Sequence, residues 1–371
     1  MSRFYLALVF FSCTAFAVEN PPVRSVDAAP QLPIEIYTDA FREIVGKQPK
    51  LHILCTGFGF TEGPVYFSVQ GEKLGYLLFT DQIHDTIHVM RWEGLDPFNQ
   101  ITALSYSAPA VFRHPSSVAD GQTADLEGRL LTCETTGRRV SRTEGDGTVE
   151  TLAGFYDGKP LNSPNDVVVK SDGSIWFTDP SYGALQFPQD ALLPNNVYRL
   201  DSKTQELVVV TNELKMPNGI AFSPDEKVLY IIDSGAIQAP GTYYLKGPHI
   251  IYAFDVSEDG KKITNKRKFA EISPGFPDGM RLDAAGNVYV GALDGVHVLS
   301  PNAELLGKIL LPKETANLTF GGLDNNVLFI CSSDSIWAIK LNTTGCKPVP
   351  VLASRLQALE AKPVGVQTSS P

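Results

Sequence analysis

The chain has 371 residues, 43% hydrophobic and 19% charged, with Gly 31 and Pro 26. That is ample apolar material for a large core and far from a low-complexity composition. The net charge of −10 comes with no long basic run, which argues against nucleic acid or an anionic membrane surface as the main partner. After residue 20 no apolar stretch reaches the roughly 18 residues of a membrane-spanning helix.

Residues 1–17 begin Met1-Ser2-Arg3, run on through apolar side chains and end Ala15-Phe16-Ala17. A short basic start, an apolar run and an A-x-A site read as a secretory signal peptide cleaved after Ala17, so the expected location is outside the cell. Residues 18–50 read as an N-terminal extension, with helical periodicity at 38–45. A strand at 51–55 then leads into a recurring pattern.

Six short apolar strands follow: 76–81 (YLLFTD), 128–134 (GRLLTCE), 173–179 (GSIWFTD), 228–233 (VLYIID), 286–292 (GNVYVGA) and 326–332 (NVLFICS). Their last residues fall roughly 40–60 residues apart, close to one four-stranded propeller blade plus loops. Turns such as Ser171-Asp172-Gly173 join several of them to an earlier apolar strand. Alternating strands at 196–200, 249–254 and 295–299, and a fourth at 207–210, complete the unit. The spacing predicts an all-β fold, a six-bladed β-propeller with four-stranded blades around a central channel, over residues 51–350. Residues 351–371 form a C-terminal tail, with a helical segment expected at 355–361 and a polar end.

In a propeller the first strand of each blade lines the channel, and here those strands open alike. They read Glu62-Gly63-Pro64, Asp120-Gly121-Gln122, Asn165-Asp166-Val167, Asn218-Gly219-Ile220 and Asp278-Gly279-Met280. Any single Asn-Gly or Asp-Gly is an ordinary turn dipeptide. Recurrence at one phase of five blades makes the oxygens converge at one end of the channel. Carboxylate and carboxamide oxygens without thiolate or imidazole suit a hard cation, Ca²⁺ before Mg²⁺. His114, six residues before Asp120, is a further candidate at the channel mouth. Asp166, Asp179, Asp233, Ser234 and Glu134 read as supporting or strand-end residues.

Past the signal peptide there are four cysteines, Cys55, Cys133, Cys331 and Cys346, which allow three full connectivities. The strand at 51–55 is placed to close the ring against the last blade, and Cys346 follows that blade. The expectation is a Cys55–Cys346 bridge, with Cys133 and Cys331 as buried thiols. Two acceptor sequons, at Asn317 and Asn342, fit an exported protein.

The segments Phe60-Thr61-Glu62-Gly63-Pro64, Leu161-Asn162-Ser163-Pro164-Asn165-Asp166-Val167, Met216-Pro217-Asn218-Gly219-Ile220 and Pro277-Asp278-Gly279-Met280 resemble the gluconolactonase, senescence marker protein 30 and luciferin-regenerating enzyme family. Residues 37–49 and 162–183 are similar to secreted fungal lactonohydrolases within it. The resemblance spans roughly residues 34–341. It implies a six-bladed propeller, one Ca²⁺ held by Glu62, Asn165, Asn218 and Asp278, and a lactone as the small-molecule substrate. Asp278 would take the proton of the attacking water, and Asn165 and Asp120 would face the substrate. Asp120 departs from the family, which commonly places Asn there. The chain contains no G-x-S-x-G, so a serine nucleophile has no support. Two other outcomes fit the same scaffold: a ring-opening, isomerising or cyclising enzyme of secondary metabolism, and a secreted calcium-binding propeller without activity. Nothing in the sequence speaks to oligomeric state.

Overall fold

Each apolar run becomes the second strand of an antiparallel sheet, because both of its faces are buried against neighbouring sheets. The computed structural model describes residues 33–352, apart from 96–99, 103–104, 236, 240–241 and 244–246. The expected signal peptide at 1–17 and helix at 355–361 lie outside the described residues. Six four-stranded blades stand in a ring, giving the six-bladed propeller that the spacing predicts. The first blade comprises Thr61–Ser68, Gly75–Asp81, Thr86–Trp92 and Ala110–Arg113, in that order from the axis outward. The inner strands of the next four blades are Ala119–Ala124, Val167–Val169, Pro217–Phe222 and Met280–Leu282. The sixth blade begins with Thr315–Gly321, and its outermost strand comes from the other end of the chain. There Leu51–Thr56 pairs antiparallel with Ser335–Lys340, which closes the ring as the sequence implies.

The segment before residue 51 also joins the ring. Ile34–Ile36 adds an outer strand to the fifth blade by pairing with Leu305–Leu310. The helix Asp39–Val45 follows, one residue shorter at its start than its periodicity suggests. Thr38 is its N-cap, and the Thr38 side chain accepts from the Phe41 backbone N–H at 3.2 Å. Phe41 and Val45 are buried against the fifth and sixth blades.

The apolar core is six wedges between neighbouring blades, and the axis stays polar. Alternation along each strand feeds the two sides: Trp176 packs toward the fourth blade and Phe177 toward the second. Aromatic pairs cross the wedges, among them Tyr289–Phe320 at 5.2 Å, Trp92–Phe329 at 4.9 Å and Trp176–Phe222 at 5.4 Å, each edge to face. The first and last blades therefore hold each other by side-chain packing as well as by the borrowed strand.

The expected Cys55–Cys346 bridge is not formed; both are free thiols. Cys55 points into the wedge between the sixth and first blades, its Sγ 3.6 Å from Met90 Sδ. Cys346 packs against the wedge between the fourth and fifth blades, and its N–H donates to the Leu282 carbonyl at 3.0 Å. Proximity to ring closure was the wrong criterion, because each side chain is committed to a different wedge. Cys133 and Cys331 are buried free thiols in second strands, as expected.

Candidate metal and substrate site at the channel end

The inner strands do not begin as regular ladder. Their pairing with the second strands slips between Glu62 and Val65, Ala119 and Gln122, Pro217 and Ile220, and Thr315 and Asn317. Such bulges re-aim side chains, and here they fall at the residues that open the blades. Gly63 shows the local requirement. It takes φ 49°, and a Cβ on it would stand 2.0 Å from the Asp120 carbonyl oxygen, so only glycine lets the first blade's opening touch the second's.

Contacts of this kind run round the axis without a break. The Gly121 N–H donates to the Asn165 carbonyl (2.7 Å), and Thr178 Oγ1 donates to the Asn218 carbonyl (2.9 Å). Gly219 N–H donates to the Asp278 carbonyl (3.0 Å) and Gly279 N–H to the Ala316 carbonyl (2.6 Å). Asn317 Nδ2 donates to Glu62 Oε2 (2.9 Å), returning to the first blade. Strand-ending acids hold the approaches in place. The Asp81 carboxylate accepts from the Gly59 and Phe60 N–H groups, Asp179 from Asn162 and Ser163, and Asp233 from Lys215 and Met216. In the second blade Glu134 instead binds Arg113, Arg139 and Ser141. These side chains have supporting roles, as the sequence suggests. Ser234 donates through Oγ to the Pro277 carbonyl, just before Asp278.

Glu62, Asp120, Asn165, Asp166, Asn218 and Asn317 are buried, and Asp278 is half-buried, the most open of the group. Four carboxylates thus share a poorly hydrated space. Among the described residues the nearby cation is Arg281, whose Nη1 lies 3.5 Å from Asp166 Oδ2. Burial pushes Glu62 up to about 7, with the Asp166 charge adding and the Gly63 N–H and Asn317 amide opposing. Burial, then the charges of Glu62 and Asp278, hold the Asp120 carboxyl well above the usual range. Burial, then the Glu62 charge, does the same to Asp278. Arg281 pairs with Asp166 and partly offsets Glu62, so four carboxylates meet one guanidinium, an excess of negative charge that a cation would balance.

The carboxamides are oriented to match. Asn165 Nδ2 donates to Asp120 Oδ2 at 2.9 Å. Asn218 Nδ2 donates to Tyr182 Oη at 3.4 Å, and the Asn218 amide also favours the charged form of Asp278 by hydrogen bonding. With their N–H groups so used, Asn165 and Asn218 keep their Oδ1 acceptors for a ligand. Glu62, Asn165, Asn218 and Asp278 all present oxygen, the donor type that a hard cation takes, although among the described residues no three acids, histidines or cysteines are grouped closely enough to hold a metal by themselves.

One expectation needs correction and another is only located. His114 stands outside the hydrogen-bonded ring, at the end of the first blade that also carries Glu62. It is exposed, and its Nδ1 lies 3.1 Å from Thr86 Oγ1 and 3.2 Å from the Asp85 carbonyl, on the first blade's turn. Asn317 is no exposed glycan acceptor but a buried member of the ring; Asn342, the other acceptor, is exposed. Tyr182 is the residue that motif reading missed. It sits on the short helix Tyr182–Gln186 between the second and third strands of the third blade, buried over the ring. Its phenol donates to the Ser234 carbonyl at 3.4 Å, and burial and the Asp278 charge keep it protonated. A cavity of ≈ 370 Å³ beside Asp233, lined by Lys215, His249 and Tyr252 among others, contains none of the ring residues.

The chain is 28% identical over 311 residues to the gluconolactonase of Zymomonas mobilis, covering 80% of this chain and 82% of that protein. It is 31% identical over 211 residues to lactonohydrolase oryL of Aspergillus oryzae, covering 52% and 45%. A solved gluconolactonase from Xanthomonas campestris superposes with a TM-score of 0.71 at 29% identity, covering 87% of this chain and 98% of that one. A luciferin-regenerating enzyme shares the fold, with a TM-score of 0.60 at 18% identity. Residues 60–334, which carry every opening from Glu62 to Asn317, match the SMP-30/Gluconolactonase/LRE-like region, and the chain belongs to that family.

Proposed function

We propose that the protein is a calcium-dependent lactonase that hydrolyses the ring ester of a sugar lactone, an aldonolactone or a close relative. The observation that carries this reading is the set of four carboxylates facing one guanidinium, with oriented amides, at one end of the channel, in a chain similar to gluconolactonases over most of its length. Glu62, Asn165, Asn218 and Asp278 would hold the ion. Bound there, Ca²⁺ would supply Lewis-acid polarisation of the lactone carbonyl.

The chain's own groups perform the rest. Asp278, the carboxylate most open to solvent, takes a proton from the water whose oxygen bonds to the carbonyl carbon. The ring C–O bond then breaks, and that proton passes to the departing alkoxide oxygen, so water is consumed and a hydroxy acid leaves. Asn218, tied back to Tyr182, fixes the Asp278 carboxylate during both transfers. Asp120, tied to Asn165, faces the substrate and favours a hydroxyl-rich, uncharged lactone over an anionic one. A non-catalytic calcium propeller is disfavoured by this arrangement, because a purely structural ion needs no half-open carboxylate.

Export belongs to the same reading, on the strength of the apolar run ending Ala15-Phe16-Ala17. The secreted chain should begin at Val18 by N-terminal sequencing, and secreted protein that retained Met1 would remove that part.

For catalysis, Asp278→Asn keeps an oxygen donor and loses the proton acceptor. At saturating calcium, kcat for glucono-1,5-lactone should fall at least ~10²-fold in a pH-stat assay. Turnover that survived the substitution would place water activation elsewhere. Chelated protein provides a second check. Glu62 is raised from 4.5 to about 7 in the folded state, so the fold holds protons there that the unfolded chain has released. Stability of the calcium-free protein should therefore fall as pH rises from about 4.5 to about 7, and added calcium should stabilise it more the higher the pH in that window. Urea melts with and without chelator measure both. A calcium effect independent of pH would separate the ion from these carboxylates.

A further inference from the structure

The sixth blade supplies the one ring residue with no part yet assigned. We infer that Asn317 is a positioning residue, which orients the Glu62 carboxylate toward the ring without itself binding the ion or the substrate. The inference rests on the cation site proposed above.

Both ends of the Asn317 carboxamide are committed. Nδ2 donates to Glu62 Oε2 at 2.9 Å, and Oδ1 accepts from the Leu318 N–H at 2.9 Å. Asn165 and Asn218 differ, since each keeps its Oδ1 uncommitted among the described residues. Glu62 is fixed in the complementary way. Its Oε2 accepts from both Asn317 Nδ2 and its own neighbour's N–H, Gly63, and this leaves Oε1 as the oxygen available to a ligand. A long carboxylate chain with one oxygen held by two donors has little rotamer freedom left to lose when Oε1 takes up a ligand.

The backbone is built to bring this amide close. The ladder slips between Thr315 and Asn317, which turns the side chain toward the axis. Behind it Gly279, next to Asp278, leaves the space: a Cβ there would stand 2.2 Å from Asn317 Cγ. Asn317 is 2% exposed, so in the folded protein the Asn317-Leu318-Thr319 sequon presents no amide to a glycosyltransferase. Its place in the ring also links the first blade's Glu62 to the fifth blade's Asp278, the two acids that are farthest apart in the chain.

The test is a double-mutant cycle read by calorimetric calcium titration of the purified protein, with lactone turnover as a second readout. Asn317→Leu keeps the volume and removes the donor. It should raise the calcium dissociation constant at least tenfold, whereas in a Glu62→Gln background the same change should alter it less than twofold. Raising calcium to saturation should restore most of kcat in Asn317→Leu, since Asp278 is untouched. If the leucine variant does not fold by circular dichroism, Asn317→Ser, which is smaller and too short to reach Oε2, carries the same expectation. Unchanged calcium affinity in a folded variant, or equal losses in the two backgrounds, would overturn the positioning role and leave the cation site standing. A parent protein that bound no calcium would overturn both.

Discussion

Desolvation of like charges at the propeller axis is the constraint on which the rest of this structure turns. Six apolar wedges put the hydrophobic side chains between blades, so the polar openings of the inner strands have nowhere to go but the channel. Glu62, Asp120, Asp166 and Asp278 arrive there with Arg281 as the compensating cation, and burial raises every one of the four. Such an arrangement is costly unless protons or a metal ion offset it. A bare fold would be expected to replace these side chains with apolar ones; a working site keeps them.

Position is secured by backbone before it is secured by side chains. Bulges at four openings, a left-handed Gly63 and hydrogen bonds that pass from blade to blade, three of them N–H to carbonyl, hold the ring, and the strand-ending aspartates tie down the loops that enter it. The carboxamides then decide which oxygens are free. Asn165 and Asn218 spend donors on carboxylate or phenol and retain an acceptor, whereas Asn317 spends both ends on the protein. A carboxamide can thus serve as ligand or as support at the same phase of different blades, and hydrogen-bond accounting separates the two.

Much of this was legible in the sequence. The second strands are short apolar runs because they are buried on both faces, and those runs with their spacing placed all six blades, while the position of residues 51–55 before the first blade pointed to the closing strand. Five openings were visible because an acid or amide precedes glycine or aspartate at a constant phase. The sixth was not, because Asn317 follows Ala316 and precedes Leu318, and its Leu-Thr context reads as a glycan acceptor instead. Tyr182 reaches Asn218 from an insertion in another blade, a proximity that no local pattern encodes. The expected Cys55–Cys346 bridge failed for a physical reason. Nearness along the chain to a closing element says nothing about which wedge a side chain enters, and packing made that choice for Cys55 and Cys346.

The central claim is that the carboxylates at the channel end are held together by one hard cation. Crystals of the protein soaked in a lanthanide, a hard trivalent stand-in for calcium with strong anomalous scattering, test it directly. The account predicts a single dominant anomalous peak bonded to oxygens of Glu62, Asn165, Asn218 and Asp278, with Asn317 outside the coordination shell and its amide still on Glu62. A dominant peak at another place on the molecule, with the ring left without metal, would contradict it.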